Sequence, residues 1–204
     1  MANILVIESS ARLAGYSRQL VGEFVEQVKA ANSSHHFVFR DLVKEPIPVL
    51  TNDNVDIIRT HPDQITPEQL EKIAVSEKLI AELKAADFVV IGSSMYNWNV
   101  SASLKAWLDQ VMRIGMTFTY GGDGVVGLLG DKPCLVVLAR GGSYDTPERA
   151  ARDMQQPYLA NVLKVMGLDV TFAVMEGALM GDDVRDANLA KARAVIDCVA
   201  KTLS

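Results

Sequence analysis

The sequence predicts an α/β fold: a doubly wound five-stranded parallel sheet in the order 2-1-3-4-5, helices on both faces, with residues 1–204 as one domain. Three observations point there. The runs NILVIE from Asn3, DFVVIG from Asp87, PCLVVLA from Pro133 and DVTFAVME from Asp169 are continuously apolar rather than alternating, as strands covered on both faces require. The segments between them carry apolar residues at helical spacing. Strand and helix also alternate along the chain, which gives parallel pairing through right-handed crossovers.

Taken in order, the first strand feeds a helix with Val21, Phe24, Val25 and Val28 at i, i+3, i+4 and i+7. HFVFRDL from His36 is a weaker run and reads as an edge strand. The second helix opens on TPEQ, where Thr66 can cap, Pro67 suits the first turn and Gln69 completes a capping box. A third carries Leu104, Trp107, Leu108 and Val111, a fourth runs from about Pro147 to Met166, and the last repeats Leu189, Ala192, Ile196, Val199 and Leu203. The order 2-1-3-4-5 is the flavodoxin-like arrangement, in which ligands bind outside the carboxyl ends of the strands, near the point where strand order reverses. That rule gathers the loops SSARLAGYS, SSMYNWNVS and ARGGSYD. Two connections, Leu42 to Thr66 and MTFTYGGDGVVGLLGDK from Met116, are longer than usual and so point to function.

Composition excludes several classes. Hydrophobic residues make up 49% of the chain, enough for a sizeable core, and the net charge is -5 with Lys and Arg spread throughout. There is no basic patch for nucleic acid. The N-terminus MANILVIESS has neither a basic leader region nor a cleavage site, and no run approaches the roughly 20 apolar residues that span a bilayer. A cytoplasmic protein with no membrane partner is expected. Cys134 and Cys198 lack CxxC spacing and read as inert thiols, while His35, His36 and His61 form no metal constellation, so no metal is expected. Gly122-x-Gly124-x-x-Gly127 matches a dinucleotide fingerprint but is followed by LLGDKP, which opens no helix, and reads as a flexible turn. A phosphoacceptor receiver domain would need an acidic cluster where Glu8 stands alone, and a serine hydrolase would need a GxSxG elbow.

The three loops offer complementary chemistry. The first supplies Ser9, Ser10, Gly15, Tyr16 and Ser17 at a strand-to-helix junction, where hydroxyls and N–H groups make a neutral cradle for phosphate; Ser17 as a plain N-cap is the equal alternative. The second supplies Met95, Tyr96, Asn97 and Trp98, apolar walls and amides suited to a flat ring system, whereas Trp107 at helical spacing belongs to the core. The third supplies Arg140, Gly141, Gly142 and Ser143, where glycines let the backbone approach a ligand and aim N–H groups at a developing anion. A plain glycine turn with a solvated Arg140 is its other reading. Phosphate at one end and a flat ring at the other describe FMN.

On SSARLAGYS, RDLVKEPIPVL, MYNWNVSASLKAWLD, GMTFTY and ARGG, in that order and spacing, the chain resembles the FMN-dependent NAD(P)H azoreductase and quinone reductase family over nearly its whole length. The resemblance implies non-covalent FMN, NADH or NADPH as reductant, and ping-pong reduction of quinones and azo compounds. It also implies a homodimer with the flavin near the interface. It further implies phosphate contacts from Ser10, Gly15, Tyr16 and Ser17, and ring contacts from Met95, Tyr96, Asn97, Trp98, Ala139, Arg140, Gly141 and Gly142. Three positions depart from the family pattern: Gly15-Tyr16-Ser17 stands for Ser-x-Ser, Trp98 for Phe and Ala139 for Ser. On this reading the Asn97 N–H faces the flavin N5 side, and the Gly141 and Gly142 N–H groups face the N1–O2 edge. No protein acid or base is needed, because the cofactor carries the hydride chemistry. Tyr120 and Phe118 are either walls of the substrate pocket or a packed hairpin, and Arg59 either meets a cofactor phosphate or is a solvated helix charge. A flavodoxin-like electron carrier is the rival; the PIPVL and MTFTY excursions favour an enzyme.

Overall fold

A computed structural model describes residues 1–204 except Asp123. Its elements run β1 (Asn3–Glu8), α1 (Tyr16–Ala31), β2 (His36–Asp41), α2 (Val55–Arg59), α3 (Pro67–Lys72), α4 (Ala74–Ala85), β3 (Phe88–Ser94) and α5 (Ala102–Val111). Then follow β4 (Phe118–Gly121), β5 (Gly124–Gly127), β6 (Lys132–Ala139), α6 (Pro147–Ala150), α7 (Gln156–Val165), β7 (Leu168–Met175) and α8 (Asp182–Lys201). Five strands pair in parallel in the order β2-β1-β3-β6-β7, the arrangement read from the sequence. Their carboxyl ends align: Glu8 lies beside both Asp41 and Gly92, and Ser94 lies beside Ala139, which is itself beside Met175.

Successive side chains of a strand point to opposite faces, so each central strand feeds two cores. Ile4 and Val6 pack with Leu20, Phe24 and Val28 of α1 and Ile196 of α8. Leu5 and Ile7 pack with Leu79 and Leu83 of α4, Trp107 of α5 and Leu163 of α7. Trp107 is fully buried, as its spacing implied. Each such side chain contributes roughly 1.5–3 kcal/mol when fully buried, and the two layers clamp the sheet so that its end is a fixed platform. No helix among the described residues is long and apolar enough to cross a membrane.

Two expected helices are broken. The second stops at Ile73, which separates α3 from α4; its start is as read, with Thr66 Oγ1 accepting from the Gln69 N–H and the Gln69 side chain accepting from the Thr66 N–H. The fourth is interrupted at 151–155, because Asp153 accepts from the N–H groups of Gln155 and Gln156 and Pro157 stands in the first turn of a new helix. The long connection after β2 folds into α2 and a 3₁₀ turn (Pro62–Gln64) over a small cluster of Ile57, Ile58 and Ile73. The Gly122–Gly127 stretch is not a flexible turn throughout: Gly124–Gly127 is β5, paired antiparallel with β4. The next described element is the strand β6 and not a helix, so the dinucleotide fingerprint has no structural support.

Gly127 is where this hairpin meets the sheet. A Cβ there would collide with the backbone of Gly167, which is itself held at φ +84°. Neither backbone has room to move. Gly22, by contrast, lies mid-helix with open space where a Cβ would be. Gly127→Ala is expected to cost about 1–3 kcal/mol, and Gly22→Ala to add roughly 0.5–1 kcal/mol. Calorimetric melting of both variants checks the opposite signs.

Candidate functional site

The crevice is built where β1, β3 and β6 end together. Ser9 and Ser10 leave β1 buried, and Ser9 Oγ donates to the Gly92 carbonyl at 2.7 Å. Ser94, at the end of β3, brings three hydroxyls together: its Oγ is 3.2 Å from Ser10 Oγ and 3.0 Å from Ser17 Oγ. Gly15 is the N-cap of α1 and has no capping side chain, so Ser17 is the second residue of the helix and not its cap. The first-turn N–H groups of Tyr16, Ser17 and Arg18 find no acceptor among the described residues. Such a start is an anion site in waiting. Gly15 matters for space, since a Cβ would lie 3.0 Å from the Arg12 carbonyl and 3.1 Å from Ser10 Oγ.

Arg18 braces this loop. Its guanidinium donates twice to the Ser10 carbonyl and forms a two-pronged pair with Asp41 at 2.8 and 2.9 Å. Donation from Arg18 draws the Asp41 carboxyl down to about 2. Beside them, Glu8 Oε2 is buried with no hydrogen-bond partner, in space left by the missing side chain of Gly92, whose Cβ would be 2.6 Å away. Burial pushes the Glu8 carboxyl up to about 7, with Arg18 pulling it down and Asp41 adding to the rise.

The second loop is a two-residue hairpin. Tyr96 and Asn99 exchange both backbone hydrogen bonds, at 2.9 and 3.0 Å, around Asn97 at φ +48° and Trp98 at φ +65°. This is the pattern of a type I′ turn, which suits Asn or Gly. For a tryptophan the left-handed backbone costs on the order of 1–2 kcal/mol, and such strain gathers at functional sites. The Asn97 and Trp98 N–H groups find no acceptor among the described residues, and Trp98 is 54% exposed. The Tyr96 hydroxyl accepts from the Ala11 N–H at 3.1 Å, joining this loop to the first.

The third loop spends its carbonyls and spares its donors. The Arg140, Gly141 and Gly142 carbonyls accept from Ala178, Leu179 and Gly177 in turn, while the Gly141 and Gly142 N–H groups find no acceptor among the described residues. The Arg140 N–H is already committed to the Met175 carbonyl. The Arg140 side chain is 2% exposed, not solvated. Ala139 is bound to the second loop, its carbonyl accepting from the Met95 N–H at 2.9 Å. Phe118 and Tyr120 pack edge to face on β4, with Tyr120 68% exposed, so they do form a hairpin. Arg59 ends α2 on an exposed surface of the other long connection, outside the three loops. The residues that sequence reasoning missed are Ser94, Arg18, Gln155 and the buried role of Glu8. Ser94 alone had a signal, a second hydroxyl directly after an apolar strand.

The family described as having a flavodoxin-like fold matches residues 2–198. The chain belongs to that family. Within the flavodoxin-like family, an FMN-dependent NADH:quinone oxidoreductase of Hyphomonas neptunium is 42% identical over 206 residues, covering 100% of this chain and 98% of that protein. One of the same name from Azotobacter vinelandii is 42% identical over 202 residues, covering 98% and 100%. The crystal structure of an azoreductase from Bacillus anthracis superposes with a TM-score of 0.88 at 28% identity, over 98% of this chain and 100% of that one.

Glu8 gives the site a pH signature. The folded chain holds the Glu8 proton between 4.5 and about 7, where an unfolded chain has released it, so stability falls as pH rises through that window. The penalty is complete above it and absent below it, on the order of 3 kcal/mol. Glu8→Gln is expected to raise the melting temperature at pH 8, with the gain vanishing by pH 4; equal gains at both pH values would count against it.

Proposed function

We propose that this chain is an FMN-dependent oxidoreductase that takes two electrons from NADH and passes them to quinones, with aromatic azo compounds as further acceptors. One observation carries the reading: an uncapped helix start ringed by hydroxyls lies beside two adjoining turns whose N–H groups are spare. The residues suit FMN at both ends. Ser10, Ser17, Ser94 and the N–H groups of Tyr16 and Ser17 would take the phosphate, the helix dipole supplying part of the charge complement. Met95, Tyr96 and Trp98 offer apolar surface for a flat ring, and the spare N–H groups of Asn97, Gly141 and Gly142 suit its polar edges. When bound, FMN supplies the hydride-accepting and hydride-donating chemistry.

The chain's own residues position and stabilise. Asn97 would hold one edge of the ring, and the Gly141 and Gly142 N–H groups would stabilise the negative charge it gains on reduction, as preorganised donors do in oxyanion-type sites. Exposed Trp98 would flank a planar reductant or acceptor, and alternate occupancy of one face would give ping-pong kinetics; Tyr120 lies on the hairpin that packs against Gly167, before β7. The names of the relatives, at 42% identity over almost the full chain, support the same activity. NADPH is kept as an alternative reductant and a second copy of the chain as a partner near the flavin.

Two measurements test this. Apoprotein is expected to quench FMN fluorescence on binding, and anaerobic stopped-flow mixing with NADH to bleach the bound flavin, which a simple benzoquinone then restores. Bound flavin that NADH leaves oxidised would indicate an electron carrier instead. Ser17→Ala is expected to weaken FMN about tenfold, the worth of one hydrogen bond to a charged group, while leaving riboflavin binding unchanged; equal loss for both ligands would move the phosphate elsewhere.

A further inference from the structure

Arg140 has more partners than any contact role at the crevice requires. Its guanidinium pairs with Asp153 at 3.0 Å and Glu176 at 3.7 Å, donates to Gln155 at 3.3 Å and Gln156 at 3.0 Å, and lies 5.2 Å from the centre of the Tyr144 ring. These partners lead to both turns that carry the spare donors. On one side, Asp153 opens α7, the adjacent Met154 N–H donates to the Trp98 carbonyl at 3.0 Å, and Gln155 Nε2 donates to the Ser93 carbonyl and hydroxyl. On the other, Glu176 accepts from Ser143 Oγ and the Tyr144 N–H, directly after the glycine pair. One buried cation is therefore the hub between two loops that adjoin through Met95 and Ala139.

The strained turn shows what the hub is for. A bulky residue persists in left-handed backbone only where its surroundings over-determine it, and Trp98 is held by its own hairpin bonds and by Met154. Met154 lies in the break between α6 and α7, so no regular helix fixes it; its immediate neighbours Asp153 and Gln155 are fixed by Arg140. The cluster holds one cation against two carboxylates, so Arg140 gives the ring no net positive charge. Its contribution is geometric.

We infer that Arg140 is a positioning residue which, through Asp153 and Gln155, sets the Asn97–Trp98 turn against the Gly141–Gly142 turn so that the donors of both meet one flat ligand. This rests on the flavin reading above. Two bound-state quantities measure it: FMN affinity by fluorescence titration and the midpoint potential of the bound flavin, each compared with the melting temperature of the apoprotein. Arg140→Gln and Gln155→Ala are expected to weaken FMN at least about tenfold. They are also expected to favour oxidised over reduced flavin by about another tenfold, which for a two-electron couple is about 30 mV more negative. Arg140→Lys is expected to recover most of the melting temperature without recovering the potential, since an ammonium cannot serve several acceptors from a planar fork.

Gln155→Ala leaves both ion pairs in place and keeps the test open where Arg140→Gln fails to fold. Variants that melt lower yet bind FMN with the wild-type affinity, spectrum and potential would overturn the inference and leave Arg140 a structural residue only. If the wild-type apoprotein itself fails to quench FMN fluorescence, the flavin reading falls and the inference with it. Wild-type binding with unaltered variants sinks the positioning role alone.

Discussion

The pairing of β3 with β6 runs from Val89 beside Cys134 to Ser94 beside Ala139, and the Met95 N–H extends it by one more bond to the Ala139 carbonyl. A slip of one residue would turn Val89 and Ile91 out of one core and into the other, where α1 and α8 leave no room for them. Burial on both faces therefore locks the register, and the register decides which backbone groups come to the sheet's edge. Ser94 ends among the hydroxyls of the first loop, and the Tyr96 turn starts beside the glycine pair, because the strands beneath them have no alternative alignment.

At the crevice three sets of backbone donors find no acceptor among the described residues: the first turn of α1, the Asn97–Trp98 turn and the glycine pair. The neighbouring carbonyls are not spare, since residues 140–142 hand all of theirs to the 177–179 segment. That asymmetry is chemical selection. Such groups would favour a ligand rich in acceptors over one rich in donors.

Much of this was legible in the sequence, and the failures have a common cause. Apolar runs of Val, Ile and Leu placed four of the sheet strands, the weaker HFVFRDL run placed the edge strand β2, and Thr66 with Gln69 placed a helix start, because burial on two faces and a capping box are local properties. The three loops followed from strand order. What escaped depends on partners distant in the chain. The break near Asp153 and the burial of Arg140 explain one another across more than ten residues, and neither has a signal in its own neighbourhood. The left-handed Trp98 was hidden because composition names Asn and Gly as the residues for such a turn. The short strand Gly124–Gly127 looked like flexible glycine because its pairing with β4 is invisible to periodicity.

Glu8 and Gly92 sit side by side on neighbouring strands, and the carboxyl of one fills the space that the other leaves. Their side-chain volumes therefore behave as a single quantity shared between two positions. A larger residue at 92 requires a smaller one at 8, and the two substitutions will not add. Across related chains these positions should drift together as a pair, with a bulky residue on one strand answered by a small one on the next, so that a comparison of sequences would record the contact without any coordinates.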